Sequence, residues 1–183
     1  MNPEFKRYNC SLPRREALAV VALTNGVWPC RDKTLEELAR PLIEGMPAER
    51  PEQEILTLWD NSRVIAHATT FRRTIYYGTG QSLSVLALVG VCVEPAKRGY
   101  GLGARIVRKA FRRIESGEFP VCLFQTNVPD FYRRLGARTV DNPFVNRQAD
   151  NPELSPWWDP YVMIYPAAFA WPSGTIDLDG PGY

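Results

Sequence analysis

The chain has 183 residues, of which 45% are hydrophobic, 23% charged and 11% aromatic. Such a chain is globular rather than disordered and buries roughly 70% of its unfolded surface without a disulfide staple. Twenty-two Lys and Arg against twenty Asp and Glu leave a net charge of +2, too close to neutral for a surface built to coat nucleic acid.

In chain order, Met1-Asn2-Pro3-Glu4-Phe5-Lys6-Arg7 has no apolar stretch behind its charges, so it does not read as a signal peptide. Residues 14–23 read as a helix that Asn25-Gly26 stops. Thr34 is positioned to N-cap a second helix to Ile43, with Glu37 three residues on and Leu35, Leu38, Ala39 and Leu42 as its apolar stripe. Strands are expected at 55–59, 64–77 and 82–93, separated by the turns Asp60-Asn61-Ser62-Arg63 and Gly78-Thr79-Gly80. Three consecutive strands with short turns suggest an antiparallel meander. A glycine-rich bend leads into a helix between Gly103 and Ser116, whose Val107, Ala110, Phe111 and Ile114 share one face. The opposite face carries Arg105, Arg108, Lys109, Arg112 and Arg113. A short strand at 121–124 follows, then a short helix opened by Pro129 and closed by Gly136, and a strand at 137–140. Residues 141–159 are rich in Asn, Pro and Asp and too long for a routine connection. A last strand is expected at 161–165.

The order α-α-β-β-β-α-β-α-β-β implies an α/β (α+β) fold, with a mixed, mostly antiparallel sheet flanked by helices, in one domain over residues 1–183. No apolar run approaches the ~18–20 residues of a membrane span. The cysteines at 10, 30, 92 and 122 form no C-x-x-C pair, so no metal site is expected. Cys92 and Cys122 lie in apolar runs and read as core residues of a protein from a reducing cytoplasm. His67 is the single histidine and reads as a hydrogen-bonded strand residue, which weakens schemes built on a His pair.

The chemistry concentrates in Val91-Cys92-Val93-Glu94-Pro95-Ala96-Lys97-Arg98-Gly99-Tyr100-Gly101-Leu102-Gly103. A strand, a glycine loop with a cation, and a helix N-terminus in succession make a phosphate site. Gly99-x-Gly101-x-x-Ala104 fits the dinucleotide fingerprint, but residues 94–97 separate the strand from Arg98, and no acidic residue ends the next strand. No Gly-Lys-Ser/Thr occurs, so a P-loop is excluded.

The remaining reading is Arg98-x-x-Gly101-x-Gly103, preceded by Val91-x-Val93-x-Pro95 and followed by Phe131-Tyr132-Arg133-Arg134-Leu135-Gly136. With these elements in order over residues ~55–140, the sequence resembles the GNAT superfamily of acyl-CoA N-acyltransferases. The resemblance implies that the backbone of Arg98, Gly99, Tyr100, Gly101, Leu102 and Gly103 holds the pyrophosphate of acetyl-CoA. It implies that Val91, Cys92 and Val93 pair with the pantetheine arm, beside a bulge at Gly90. The acetyl group would pass directly to an amine, a strand N–H would stabilise the oxyanion, and Tyr132 matches the general acid of the departing thiolate.

Residues 64–77, the 141–159 loop and the acidic tail are loosely similar to aminoglycoside 2′-N-acetyltransferases. On that likeness an amino sugar is the expected small-amine partner, with Asp177, Asp179 and the Tyr183 carboxylate as its binding groups. Trp157-Trp158-Asp159 in the long loop reads either as a face that stacks on a sugar or lids the acceptor site, or as a cluster packed under the loop. The position just before Gly90, where that subgroup is expected to carry a glutamate, is Val89. No nucleic-acid or membrane partner is expected, and a homodimer stays open. Alternatives are a non-catalytic acyl-CoA sensor and a peptide or protein N-acetyltransferase, with RNA binding through the 105–113 arginines a weaker one.

Overall fold

The chain opens with a strand that its composition hides. In a computed structural model describing residues 3–9, 11–45 and 50–183, β1 (Glu4–Tyr8) is a five-residue strand in which Glu4, Lys6 and Arg7 mask the two-residue period. Edge strands carry charge readily, because it discourages further pairing. Met1, Asn2 and Cys10 lie outside the described residues. These fall into two compact units, one comprising residues up to Phe71 with Gly90–Ala110, the other Arg72–Val89 with Phe111–Tyr183.

In the first unit, α1 (Arg14–Val27) buries Ala17, Val20, Val21 and Leu23. It runs past the expected stop at Asn25-Gly26, because the Asn25 side chain accepts from Cys30 N at 2.8 Å and so caps the next segment rather than its own helix. α2 (Leu35–Glu44) starts as expected: Glu37 N donates to Thr34 Oγ1 at 3.2 Å and Thr34 N donates to Glu37 Oε2 at 2.7 Å, a reciprocal capping box. β1 pairs antiparallel with β2 (Glu54–Asp60), Glu4 facing Trp59 and Tyr8 facing Ile55. β2 pairs antiparallel with β3 (Arg63–Tyr77), with a register shift between Leu58 and Trp59. β4 (Gln81–Val93) is the next hydrogen-bonded neighbour, so the three-strand meander stands and Gly90 to Val93 close this unit's sheet at its edge. Leu12, Ala17, Val20, Ala39, Ile55, Trp59, Val64 and Cys92 form the core of the unit. Burial of the Leu, Val and Ile side chains among them contributes about 1.5–3 kcal/mol each. Behind β4, a 3-10 turn (Pro95–Lys97) leads to α3 (Leu102–Glu115), whose first nine residues belong here and bury Leu102, Ile106, Val107 and Ala110. Arg105 Nη2 donates to Pro3 O at 2.9 Å and Lys109 lies 4.5 Å over the Phe5 ring, fastening β1.

β4 bends at Gly90, where φ is +64°. His67 Nδ1 lies 2.8 Å from Gly90 O and its Nε2 3.1 Å from Thr69 Oγ1. The histidine is buried, and desolvation lowers its pKa to about 4, against a smaller raising effect of the Gly90 bond.

In the second unit, β4 pairs parallel with β5 (Cys122–Thr126), Leu86 facing Cys122 and Ala87 facing Leu123. Parallel neighbours require a crossover, and α3 lies in the chain between them. α4 (Pro129–Arg133) is followed by β6 (Arg138–Val140) and by β7 (Phe144–Val145). β8 (Tyr161–Tyr165) pairs antiparallel with both β5 and β6. β9 (Ile176–Asp177) pairs antiparallel with β3 and parallel with β7. β7 and β9, two residues each, are too short to leave a period in the sequence. Phe111, Val121, Cys122, Leu123, Phe124, Met163 and Ile164 are buried here, with Phe111 stacked on Tyr165 at 3.8 Å.

Outside the β9 ladders, several carbonyls of the tail after β8 are met by side chains. Arg138 donates to the carbonyls of Ala167 and Phe169, Asn142 to those of Pro172 and Gly174, and Arg73 to those of Leu178 and Pro181. Among the described residues no helix is long and apolar enough to cross a membrane.

His67 makes stability depend on pH. The unfolded imidazole takes a proton near 6.5 while the folded one does so only near 4. Folding stability is therefore fully present above the higher value and falls as pH drops through that window, by about 3 kcal/mol. Urea unfolding of the wild type and of His67→Gln between pH 7 and 4 checks this. The wild type should lose the larger share, and parallel profiles would contradict the assignment.

Candidate functional site

The first unit supplies a strand end and a glycine loop in one continuous segment. Along β4, Val91 and Val93 are half-buried while Cys92 points into the core. Burial raises the Cys92 thiol to about 12, against a smaller lowering by Arg98. It is therefore protonated and not a nucleophile. Glu94 N donates to Ile65 O at 3.0 Å. Two ion pairs then brace the turn at 95–97 against the β2–β3 hairpin: Lys97 Nζ meets Asp60 Oδ2 at 3.1 Å, and Arg63 meets Glu94.

Past the turn, Arg98 is extended and exposed, with Nε 3.4 Å from Val93 O. Gly99 and Gly101 have φ of +86° and +74°. A Cβ at either would meet none of the described atoms within 4 Å. Glycine is needed there for the sign of φ, not for want of room, and the space over the loop is open. Tyr100 is 78% exposed. The Arg105 amide donates to Gly101 O at 3.0 Å, so the N–H groups of Leu102, Gly103 and Ala104 precede the first helical bond and carry the positive end of the α3 dipole. Open space, left-handed glycines, unspent amides and a guanidinium fit a diphosphate.

The second unit holds the other expected residues. Tyr132, in α4, is 6% exposed, with its ring 4.6 Å from Phe124 and 4.8 Å edge-on from Phe131. Burial, then the nearby Cys122 and Asp159, push its phenol well above the usual value, so it stays a proton donor at neutral pH.

Trp157 is buried edge-on between Phe144 at 5.7 Å and Tyr183 at 4.9 Å. Trp158 is 69% exposed. Tyr183 is buried and its hydroxyl donates to Leu123 O at 3.2 Å. Asp177 is buried, accepts from the backbone N–H of Arg147 and Asp179, and lies 3.7 Å from Arg147 Nε. Asp179, at φ +51°, accepts from the Gln148 side chain. The structure thus joins Trp157 with Tyr183, and the buried Asp177 with the exposed Asp179.

Gln125 was not singled out by the sequence, yet one amide joins both segments. Its Oε1 accepts from Trp158 N at 2.9 Å and Asp159 N at 2.8 Å, and its Nε2 donates to Tyr183 O at 2.8 Å. The only available signal was a polar amide following Phe124 in an apolar strand. Among the described residues no group of three His, Cys, Asp or Glu could hold a metal ion.

Residues 12–140 match the acetyltransferase (GNAT) domain. Similar solved structures include the GNAT family N-acetyltransferase YhbS from Escherichia coli in complex with CoA, at TM-score 0.65 and 15% identity, covering 97% of this chain and 90% of that one. The glucosamine-6-phosphate N-acetyltransferase of Arabidopsis thaliana gives 0.57 and 15%, covering 75% and 94%. A GCN5-related N-acetyltransferase from Kribbella flavida gives 0.56 and 18%, covering 75% of this chain and 34% of that one, so the chain spans about a third of that protein. Identities this low speak to fold alone. Among curated proteins none matches the sequence. The domain match takes in the strand edge, the glycine loop and α4 together, and on it the chain belongs to the GNAT acetyltransferase family.

Proposed function

We propose that the protein is an acetyl-CoA-dependent N-acetyltransferase acting on a primary amine of a small molecule, with an amino sugar as the acceptor class. The observation that carries this is the open loop with left-handed Gly99 and Gly101, between the end of β4 and the amides that open α3. When bound, acetyl-CoA supplies an activated acetyl thioester. The backbone of Arg98, Gly99, Tyr100, Gly101, Leu102 and Gly103 receives the pyrophosphate, and Arg98 adds a guanidinium. Val91, Cys92 and Val93 offer backbone groups to an amide-bearing arm as a further strand would.

In the transfer, the neutral amine forms a C–N bond to the carbonyl carbon and the C–S bond breaks. The amine loses a proton to water, and the sulfur leaves as thiolate or thiol. A strand N–H stabilises the developing oxyanion. Tyr132, placed by its position in the Phe-Tyr-x-x-x-Gly element, donates a hydrogen bond to the sulfur. A phenol of raised pKa does not hand its proton over ahead of charge development, so the bond strengthens as the thiolate forms. The protonated Cys92 and Cys122 favour direct transfer over an acetyl-cysteine intermediate.

On the acceptor side, the exposed Trp158 indole offers a sugar-stacking face and the neighbouring Asp159 a carboxylate. Asp179 adds a second carboxylate, and Trp157, Asp177 and Tyr183 act by fixing the segments that carry them. A neighbour that is a glucosamine-6-phosphate N-acetyltransferase makes an amino sugar a reasonable first acceptor. Cytoplasmic acetyl-CoA is the donor pool this reading assumes, and a homodimer is compatible with it.

Gly101→Glu places a strained side chain and a like charge in the open space. It should weaken CoA binding by calorimetry about tenfold or more while the melting temperature stays close to wild type; unchanged affinity would remove the loop from the site. Tyr132→Phe should lower kcat about ten- to a hundredfold in a thiol-release assay with amino-sugar acceptors, with little change in the KM of acetyl-CoA. An equal kcat would take Tyr132 out of the mechanism.

A further inference from the structure

His67 is a buried titratable group that the proposed chemistry leaves without a task. It is 6% exposed and held at both ring nitrogens, by Gly90 O at 2.8 Å from Nδ1 and by Thr69 Oγ1 at 3.1 Å from Nε2. A carbonyl only accepts, so Nδ1 carries the proton and donates to Gly90, while Nε2 accepts from the Thr69 hydroxyl. Gly90 has φ +64°, and a Cβ there would lie 3.3 Å from His67 Cε1. Glycine takes this left-handed conformation without strain, which admits a bulge inside the strand but does not by itself fix where the carbonyl points. The imidazole, from the neighbouring strand β3, fixes that carbonyl by its hydrogen bond.

The peptide joining Gly90 to Val91 is planar and trans. Its carbonyl is fixed on His67, so its N–H, which belongs to Val91, is directed to the opposite side of the same peptide plane. Val91 is half-buried on the edge strand of its unit's sheet. We propose that His67 is a positioning residue which, by holding the Gly90 carbonyl, aims the Val91 N–H at the acetyl oxygen and makes that amide the oxyanion donor. This rests on the acetyl-transfer reading above. Thr69 completes the device by fixing the ring's tautomer through its hydroxyl.

The chain has one histidine, so imidazole nitrogen NMR of the full chain reads a single ring. The Nδ1–H tautomer is expected at neutral pH, and the Nε2–H tautomer would overturn the clamp whatever the enzyme does. In kinetics, His67→Leu removes the donor, whereas His67→Asn keeps one in place of Nδ1. The Leu variant should lose about ten- to a hundredfold in kcat with the KM of acetyl-CoA nearly unchanged, and the Asn variant should recover most of it. A folded Leu variant at wild-type kcat, or an Asn variant as slow as Leu, overturns the proposal. If the Leu variant does not fold, the Val91 amide resonance of the wild type decides. It should move further downfield with acetyl-CoA than with CoA, and equal shifts contradict its role as donor. A wild type that ignores both compounds defeats the acetyl-transfer reading instead, while the tautomer still reports on the clamp.

Discussion

A diphosphate cradle needs backbone N–H groups that are rigid yet without protein acceptors, and those demands oppose each other. Backbone rigidity usually comes from pairing, and paired amides bind nothing. On the proposed reading, the segment from Val93 to Ala104 meets both demands by bracing its flanks rather than the loop itself. Lys97 with Asp60 and Arg63 with Glu94 fasten the turn at 95–97 to the β2–β3 hairpin. α3 is anchored below by Leu102, Ile106, Val107 and Ala110. The Arg98 N–H still closes the turn on Pro95 O at 3.3 Å, and beyond it glycines with φ of +86° and +74° set the path.

The same economy appears in the second unit, with side chains standing in for ladders. The segment beyond β8 includes the two-residue strand β9 and is otherwise irregular. Its carbonyls are met by Arg73, Arg138 and Asn142. Guanidinium and amide donors suit this because they reach several acceptors from one anchor. Gln125 extends the device, tying Tyr183 to the segment that displays Trp158. In the acidic tail, the Asp177 carboxylate accepts from the amides of Arg147 and Asp179.

What the sequence made legible follows from range. The Thr34–Glu37 box, the meander of β2, β3 and β4, and the passage from β4 to α3 are specified by residues within a few positions of one another, and each forms where expected. β1 was not legible, because its stability comes from Trp59, Arg105 and Lys109, far along the chain. Asn25 read as a helix stop because its link to Cys30 is invisible as a local propensity. The two-residue β7 and β9 exist only through each other and β3. The glycine loop announced itself through spacing; His67 gave no comparable sign, since its partner Gly90 is 23 residues away and is contacted through the backbone.

The central claim is that backbone amides around Gly99 to Gly103 receive the diphosphate of CoA. Calorimetric titration with CoA and, separately, with pantetheine tests it most directly, because the two share the amide arm and differ in the nucleotide diphosphate. CoA should bind at a single site and pantetheine at least about tenfold more weakly, as expected where charge-assisted bonds to the phosphates dominate. Equal affinities, or no heat with CoA, would contradict the account.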